Sequence, residues 1–537
     1  MSKDKHFALS RRRFLTLGAS SFLSLTAFAA LGKNGMGGMG GMVMPAPSSR
    51  LPAPSFAAPL PIPPQYGGQL AADGVREFHL HIAAGVSELS AGLHTPTWGY
   101  NGAFLGPALL IPRHQPVRLW VHNALQESTT THWHGAHVPG SMDGGPQSLI
   151  RPGKTWRYAY QLDQPEATLW YHPHPASRTG PHVYAGLAGL YLVQDGTDAA
   201  LGLPRSWGVD DIPVIVQDRV LDDTGTLQYM PTAMDVMGMK GNRFLINGRE
   251  APVFHAPAQW VRMRLLNASN ARLYNFAFSD DREFYVIASD AGYLAAPVAV
   301  RRLLLAPAER AEILIDLRSL AGKELYLRSD SGSVVPALSA RSMDSDAYDR
   351  SNFPLLAIRV RPRLGPGGRL PDRLAEIPSL QANAQTRQFV LRGMAMQQDM
   401  PELRQAMQQV RHAGPGGMSL GIDGQRLFSI NDRYMDMQVI NEKLRLGSTE
   451  IWQIENRAEM AHTFHVHGTS FQILSRNGAV PPATERGWKD TLLIRRDETV
   501  RFIAHYAQPA TEEFPYMYHC HMLEHEDNGM MGQFTVT

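Results

Sequence analysis

Residues 518–532 read YHCHMLEHEDNGMMG. Cys520, the only cysteine in the chain, stands between His519 and His521, with His525 five residues on and Met530 and Met531 beyond it. On an extended segment, residues two apart share a face and immediate neighbours oppose one another. His519 and His521 therefore point one way and Cys520 the other. One short strand is expected to serve two sites set back to back.

Three further clusters carry the same spacing: HWHG at 132–135, WYHPHP at 170–175 and HTFHVHG at 462–468. By the same parity, His132, His134, His172, His174, His465, His467, His519 and His521 can gather on one side. His462 lies three residues before His465 and turns to the other side, where Cys520, His525 and a methionine complete a second set. Two imidazoles, a thiolate and a weak axial thioether make a blue-copper electron-transfer site. Eight imidazoles are too many for one ion and fit three coppers. A structural zinc site closes with four ligands and leaves most of them unexplained. The lone cysteine cannot form a disulfide within the chain, and a bound metal would hold it as thiolate.

Around these clusters the chain reads as all-β. Short alternating runs such as Pro116–Val121 are separated by turn residues, in blocks of β-sandwich size at 65–205, 206–362 and 386–537. Residues 363–385 read as a linker. The exception is 394–407, expected to be a Met-bearing helix from Asp399 onward. Residues 1–29 read as a twin-arginine export signal, with Arg11–Arg13 before an apolar stretch and a small-residue cleavage site. Residues 30–64, rich in Gly, Met and Pro, read as a disordered tail. A net charge of +2 leaves no broad basic field for nucleic acid. After cleavage no membrane anchor is expected.

The four clusters, in order, resemble the ligand motifs of the multicopper oxidases. Stretches such as HWHGAHVPGSMDGGPQSLIRPG, IPVIVQD, RMRLLNASNARLYNFAFSD and FYVIASDAGYL are similar to the periplasmic copper-efflux (cuprous) oxidases and bacterial laccases. The resemblance implies three cupredoxin-like Greek-key β-sandwich domains and four copper ions. The type 1 copper would take His462, Cys520, His525 and Met530, the last preferred over Met531 by motif spacing. The type 2 copper would take His132 and His465. One type 3 copper would take His134, His172 and His521, the other His174, His467 and His519. Asp143 and Glu526 match acids that the family uses for proton delivery. O₂ and a small reducing substrate or Cu(I) would be the reactants of a periplasmic monomer exported by the twin-arginine machinery.

Thioethers are soft and suit Cu(I). Met394, Met396, Met400 and Met407, with Asp399, and Glu459 and Met460 before His462, are therefore candidate Cu(I)-binding residues. A short Met-bearing cover would leave the type 1 site open to phenols and widen laccase activity. The alternative is a copper-binding or cell-division scaffold of the same fold, which the resemblance associates with lost copper ligands. None is lost here.

Overall fold

The computed structural model describes residues 54–338, 345–394, 396–410, 412–422 and 424–537. Six sheets form three β-sandwiches in chain order. In the first, one sheet orders Gln65–Tyr66, Ala108–Pro112, Gly189–Gln194, Ala167–His172 and His132–His134, and the other is built on Arg76–Ser87, Pro116–Asn123 and Thr155–Gln161. The second pairs a seven-stranded with a five-stranded sheet. In the third, one face is made by Glu442–Leu444, Met531–Val536, Tyr516–Cys520, His462–Val466 and Thr491–Ile494. The sheets are mixed: Ala108–Pro112 pairs with Gly189–Gln194 and Glu442–Leu444 with Met531–Val536 in parallel, while the strands of the four histidine clusters pair antiparallel.

Period-two patterning sets the layers. In Pro116–Asn123, Val117, Leu119 and Val121 are buried while the intervening side chains face outward. The strands that carry histidines depart from this alternation. His132–His134, Ala167–His172, His462–Val466 and Tyr516–Cys520 are buried on both faces. The reason is that the first and third sandwiches share one continuous apolar core, from Phe78 and Trp133 through to Phe464 and Phe534, whereas most of the second sandwich's core is a separate cluster. The histidine strands lie along the junction between the first and third domains.

Two expectations are revised. Of the tail read as disordered, residues 58–64 are pinned to the fold. Leu60 N–H donates to the Val253 carbonyl at 2.9 Å, and the Pro61, Pro63 and Pro64 carbonyls accept from Asn247, Trp207 and Ala108. Prolines offer carbonyls without needing partners for an N–H, so a proline-rich strap can be held from one side only. The helix spans Met396–Met407, beginning three residues before Asp399, with Pro401 inside it and Leu403 fully buried. Leu403 anchors the first turns in the core, which offsets the one backbone bond that Pro401 cannot make. The export signal, and the tail as far as residue 53, lie outside the described residues. Among the described residues no helix is long and apolar enough to cross a membrane.

Hydrogen bonds from a buried ion-pair cluster of the second domain fasten it to the first. Glu312 accepts from Arg262, from Arg264 at 3.1 Å and from Thr168 at 2.6 Å, and Glu166 accepts from Tyr293 at 2.9 Å. Burial, with Asp198 adding to it, pushes the Glu166 carboxyl up to about 7 despite the opposing Arg262. The folded state thus holds a proton that the unfolded chain releases near pH 4.5, and stability falls as pH rises from there to about 7. Glu166→Gln cannot ionise. Its thermal midpoint is expected to gain on the wild type between pH 5 and pH 8, by an amount equivalent to about 1–3 kcal/mol. Identical pH dependence of the two midpoints would place the Glu166 proton elsewhere.

Candidate metal centre

The strand register separates the two sites. Cys520 pairs with Phe464 and His519 with His465. Cys520 therefore shares a face with Phe464 and His462, and His519 shares the opposite face with His465. Cys520 Sγ lies 3.5 Å from His462 Nδ1 and 3.6 Å from His525 Nδ1, and those two nitrogens are 3.1 Å apart. His525 comes from the short helix Leu523–Asp527, and its Nε2–H donates to the Met237 carbonyl at 3.2 Å, leaving Nδ1 as a lone pair. Phe428 stacks on the same ring at 4.0 Å. Met531 is in register with His519, on the opposite face from Cys520, while the adjacent Met530 is fully buried.

Burial decides the protonation states here. It pushes the Cys520 thiol up to about 12, pulls His525 down to about 3, and holds His462 well below the ordinary histidine range, with His525 adding to the effect. The thiolate is reached only when a cation replaces the proton. The donor set of two neutral imidazoles, one thiol and a neighbouring thioether fits a blue-copper ion.

On the other face the imidazoles converge from both domains. His132 stacks on His467 at 3.9 Å, and His134 stacks on His465 at 3.7 Å. His132 Nδ1 donates to the Asp143 carbonyl at 2.9 Å and His465 Nδ1 to the Asp490 carbonyl at 2.7 Å. The Nε2 atoms of both rings are buried without a partner. His172 Nδ1 donates to the Pro173 carbonyl at 2.9 Å, and its Nε2 faces His134 Nδ1 at 3.3 Å. His519 Nε2 faces His174 Nε2 at 3.3 Å and His467 Nε2 at 3.2 Å. Both ring nitrogens of His521 are partnerless, and the ring sits 5.1–5.2 Å from those of His134 and His172.

Desolvation first, and neighbouring imidazoles second, hold His134, His172, His465, His467 and His521 well below the ordinary histidine range. His174 falls to about 4 by burial, against the pull of Glu526. Neutral rings with opposed lone pairs repel unless a cation lies between them. The orphaned nitrogens therefore fit metal ions. The groupings His174–His467–His519 and His462–Cys520–His525 each bring one ligand atom per residue within 4.8 Å, as does the pair His132 and His465 together with His467.

Carboxylates fix the outer nitrogens. His467 Nδ1 donates to Asp143 at 2.7 Å, and His519 Nδ1 lies 2.9 Å from Glu526, whose other oxygen is 3.4 Å from His174 Nδ1. Three residues that matter were not marked by any spacing in the sequence. Asp490 meets His134 Nε2 at 3.1 Å and is held by both ends of the Arg310 guanidinium, which reaches in from the second domain. Glu524 accepts from Tyr229, Asn270 and the Met239 N–H at 2.8–3.0 Å, tying the helix that bears His525 to the second domain.

The candidate Cu(I) residues differ in burial. Met460 is buried beside His462 and lines a cavity of about 30 Å³ with Met237 and Met522, two thioethers that sequence spacing did not single out. Met394 and Met407 are half-buried against the core, Asp399 is half-buried and Glu459 is exposed. The side chains of Met396 and Met400 lie outside the described residues. His462 and His525 are fully buried beneath Phe428 and Met237, so the expected open type 1 site is not found among the described residues. The second domain contributes to the cover that the third domain alone was expected to supply.

The fold and donor sets define a protein built to hold copper at two adjoining centres. Family models described as multicopper oxidase match residues 82–198, 215–340 and 397–537. The chain is 36% identical to the cell division protein FtsP of Yersinia pestis, covering 81% of this chain and 84% of that one. It is 33% identical to the multicopper oxidase mco of Staphylococcus haemolyticus, covering 87% and 89%. The structure of a laccase-like multicopper oxidase CueO from Ochrobactrum sp. is similar, at 35% identity and a TM-score of 0.76 over 89% of this chain and all of that one. The chain belongs to the multicopper oxidase family.

Arg310→Ala would strand Asp490 as a buried, unpaired charge. It is expected to cost about 3–5 kcal/mol, read as a lowered unfolding midpoint, with less copper retained. An unchanged midpoint would mean that the pair carries no structural load.

Proposed function

We propose that the protein is a periplasmic oxidase, exported by the twin-arginine route, that couples one-electron oxidation of Cu(I), and of phenols and aromatic amines, to reduction of O₂ to water. With Cu(I) as substrate, four Cu(I), one O₂ and four protons give four Cu(II) and two waters. The observation that carries this reading is the donor set: Cys520 with His462 and His525, and on the other face seven imidazoles in groups close enough to share an ion, with the His521 ring beside those of His134 and His172. His462, Cys520, His525 and Met530 would hold the type 1 ion, and His132 with His465 the type 2 ion. His134, His172 and His521 would hold one type 3 ion, and His174, His467 and His519 the other. When bound, the four coppers supply one-electron transfer at the first site and O₂ reduction at the second.

The chain's own residues do the rest. Cys520 is bonded through the backbone to His519 and His521, so the two sites are joined by one residue in each direction. Asp143 and Glu526 fix the rings that they touch and, in this reading, deliver protons. Asp143 Oδ1 has no hydrogen-bond partner and is free to take one. Met237, Met460 and Met522 line one small cavity, and in this reading their thioethers receive Cu(I), which they suit better than a hard cation.

A second reading, a cell-division scaffold, is favoured by the similarity to FtsP. A scaffold has no need of an intact donor set, and here none of the twelve ligand positions is substituted. Cys520→Ser is expected to abolish the intense blue absorption and substrate oxidation while circular dichroism keeps its β signal. His465→Ala should keep the blue absorption and stop O₂ consumption. Retained blue colour in the first variant, or no O₂ consumption by the copper-loaded wild type, would overturn the oxidase reading.

Leu403 is buried, so deleting the helix would damage the core, and substitution is the cleaner probe of the thioethers. Met237→Leu with Met460→Leu should lower the rate on Cu(I) several-fold and leave phenol turnover near wild type. Equal rates on Cu(I) would reduce these methionines to packing.

A further inference from the structure

On the outer face of the first domain, on strands that carry none of the copper motifs, the parallel strands Arg76–Ser87 and Pro116–Asn123 set His81 directly opposite His122 and His79 opposite Trp120. Phe78, Leu80 and Ile82 turn inward, so His79 and His81 stand exposed on the solvent side, with His122 half-buried. The His81 and His122 rings lie nearly parallel, 17° apart in plane, with centroids 4.9 Å from each other. His79 is stacked over Trp120 instead. These groups and Thr155 line an open recess of about 410 Å³.

Two features make the pair more than a surface accident. Thr155 Oγ1 lies 3.0 Å from His122 Nδ1. When that nitrogen donates to the hydroxyl, Nε2 is left as a lone pair, the arrangement that outer partners impose on metal-binding histidines. Asn101 clamps the backbone beside His81, accepting its N–H at 2.7 Å and donating to the His79 carbonyl at 2.9 Å. The strand that presents His81 is thus fixed on both edges, and little ordering remains to be done when a ligand binds.

We propose that His81 and His122 form an exchangeable surface site for a divalent transition metal, with Cu(II) the favoured ion. Two imidazoles in register on adjacent strands can reach one ion by a small tilt of each ring about its χ2 torsion, a soft motion. Water completes the coordination on the open side. For nitrogen donors Cu(II) is bound more tightly than the other first-row divalent ions. The site is separate from the buried centres and needs no change in them.

The test uses the copper-loaded holoenzyme, with its resident coppers in place, dialysed against micromolar Cu(II). The wild type is expected to take up one further equivalent, with electron paramagnetic resonance showing added Cu(II) coupled to imidazole nitrogen. The double variant His81→Gln, His122→Gln should bind that equivalent at least tenfold more weakly and lose the added nitrogen coupling, with blue absorption and phenol oxidation unchanged. Equal uptake and equal nitrogen coupling in the double variant, or no further equivalent in the wild type, would overturn the proposal.

Discussion

The junction of the first and third domains depends on burying a group of imidazoles with their lone pairs turned toward one another. Water would protonate or bridge such rings. Here desolvation keeps six of the eight neutral, and opposed lone pairs at 3.2–3.3 Å are unfavourable until a cation lies between them. The fold tolerates this because most of the outer nitrogens are held, those of His521 being the exception. Asp143, Pro173 and Asp490 supply carbonyl oxygens, and Asp143 and Glu526 supply carboxylates, so tautomer and ring orientation are set before a metal arrives.

The second domain contributes none of the paired imidazoles, yet the arrangement rests on it. Arg310 holds Asp490, which holds His134, and Asn270, Tyr229 and the Met239 amide hold Glu524, which precedes His525. A buried ion pair gives little net stability, because taking both charges out of water costs about as much as their attraction returns. Its consequence here is registration. Each pair has one partner that only the second domain can offer, so first and third domains meet in one alignment. Lys489, between Asp290 and Glu309 at 2.9–3.0 Å, repeats the device one residue before Asp490.

What was legible in the sequence was what strand parity governs. The opposition of Cys520 to His519 and His521, and of His462 to His465, follows from a period of two, and the register bears it out. The β-sandwich class followed from short alternating runs for the same reason. Contacts between domains were not legible. Arg310 and Asp490 are 180 positions apart and carry no spacing signal, and Met237 reaches His525 through a backbone carbonyl that any residue could supply. The strap at 58–64 was hidden by a composition that reads as disorder, although its order comes from partners elsewhere in the chain. His81 and His122 were also invisible, because a pair formed across parallel strands leaves no local motif.

The separation of the two proposed copper sites is fixed by covalent structure. Cys520 and its neighbours sit on Tyr516–Cys520, which is hydrogen-bonded on both sides, to His462–Val466 and to Met531–Val536. Relatives can therefore vary little in that distance without rebuilding the sheet. What lies over His525 is outside that sheet: Phe428 from the third domain and Met237 from the second. Overall identity hardly distinguishes relatives named as oxidases from those named for cell division, at 33% and 36%. Two local features carry more information. In the proposed reading the donor set holds the copper and the cover governs which reductant reaches it. Because the cover comes from two domains, a change of donor needs substitutions only in segments that carry no copper ligand, and the buried centre can stay as it is.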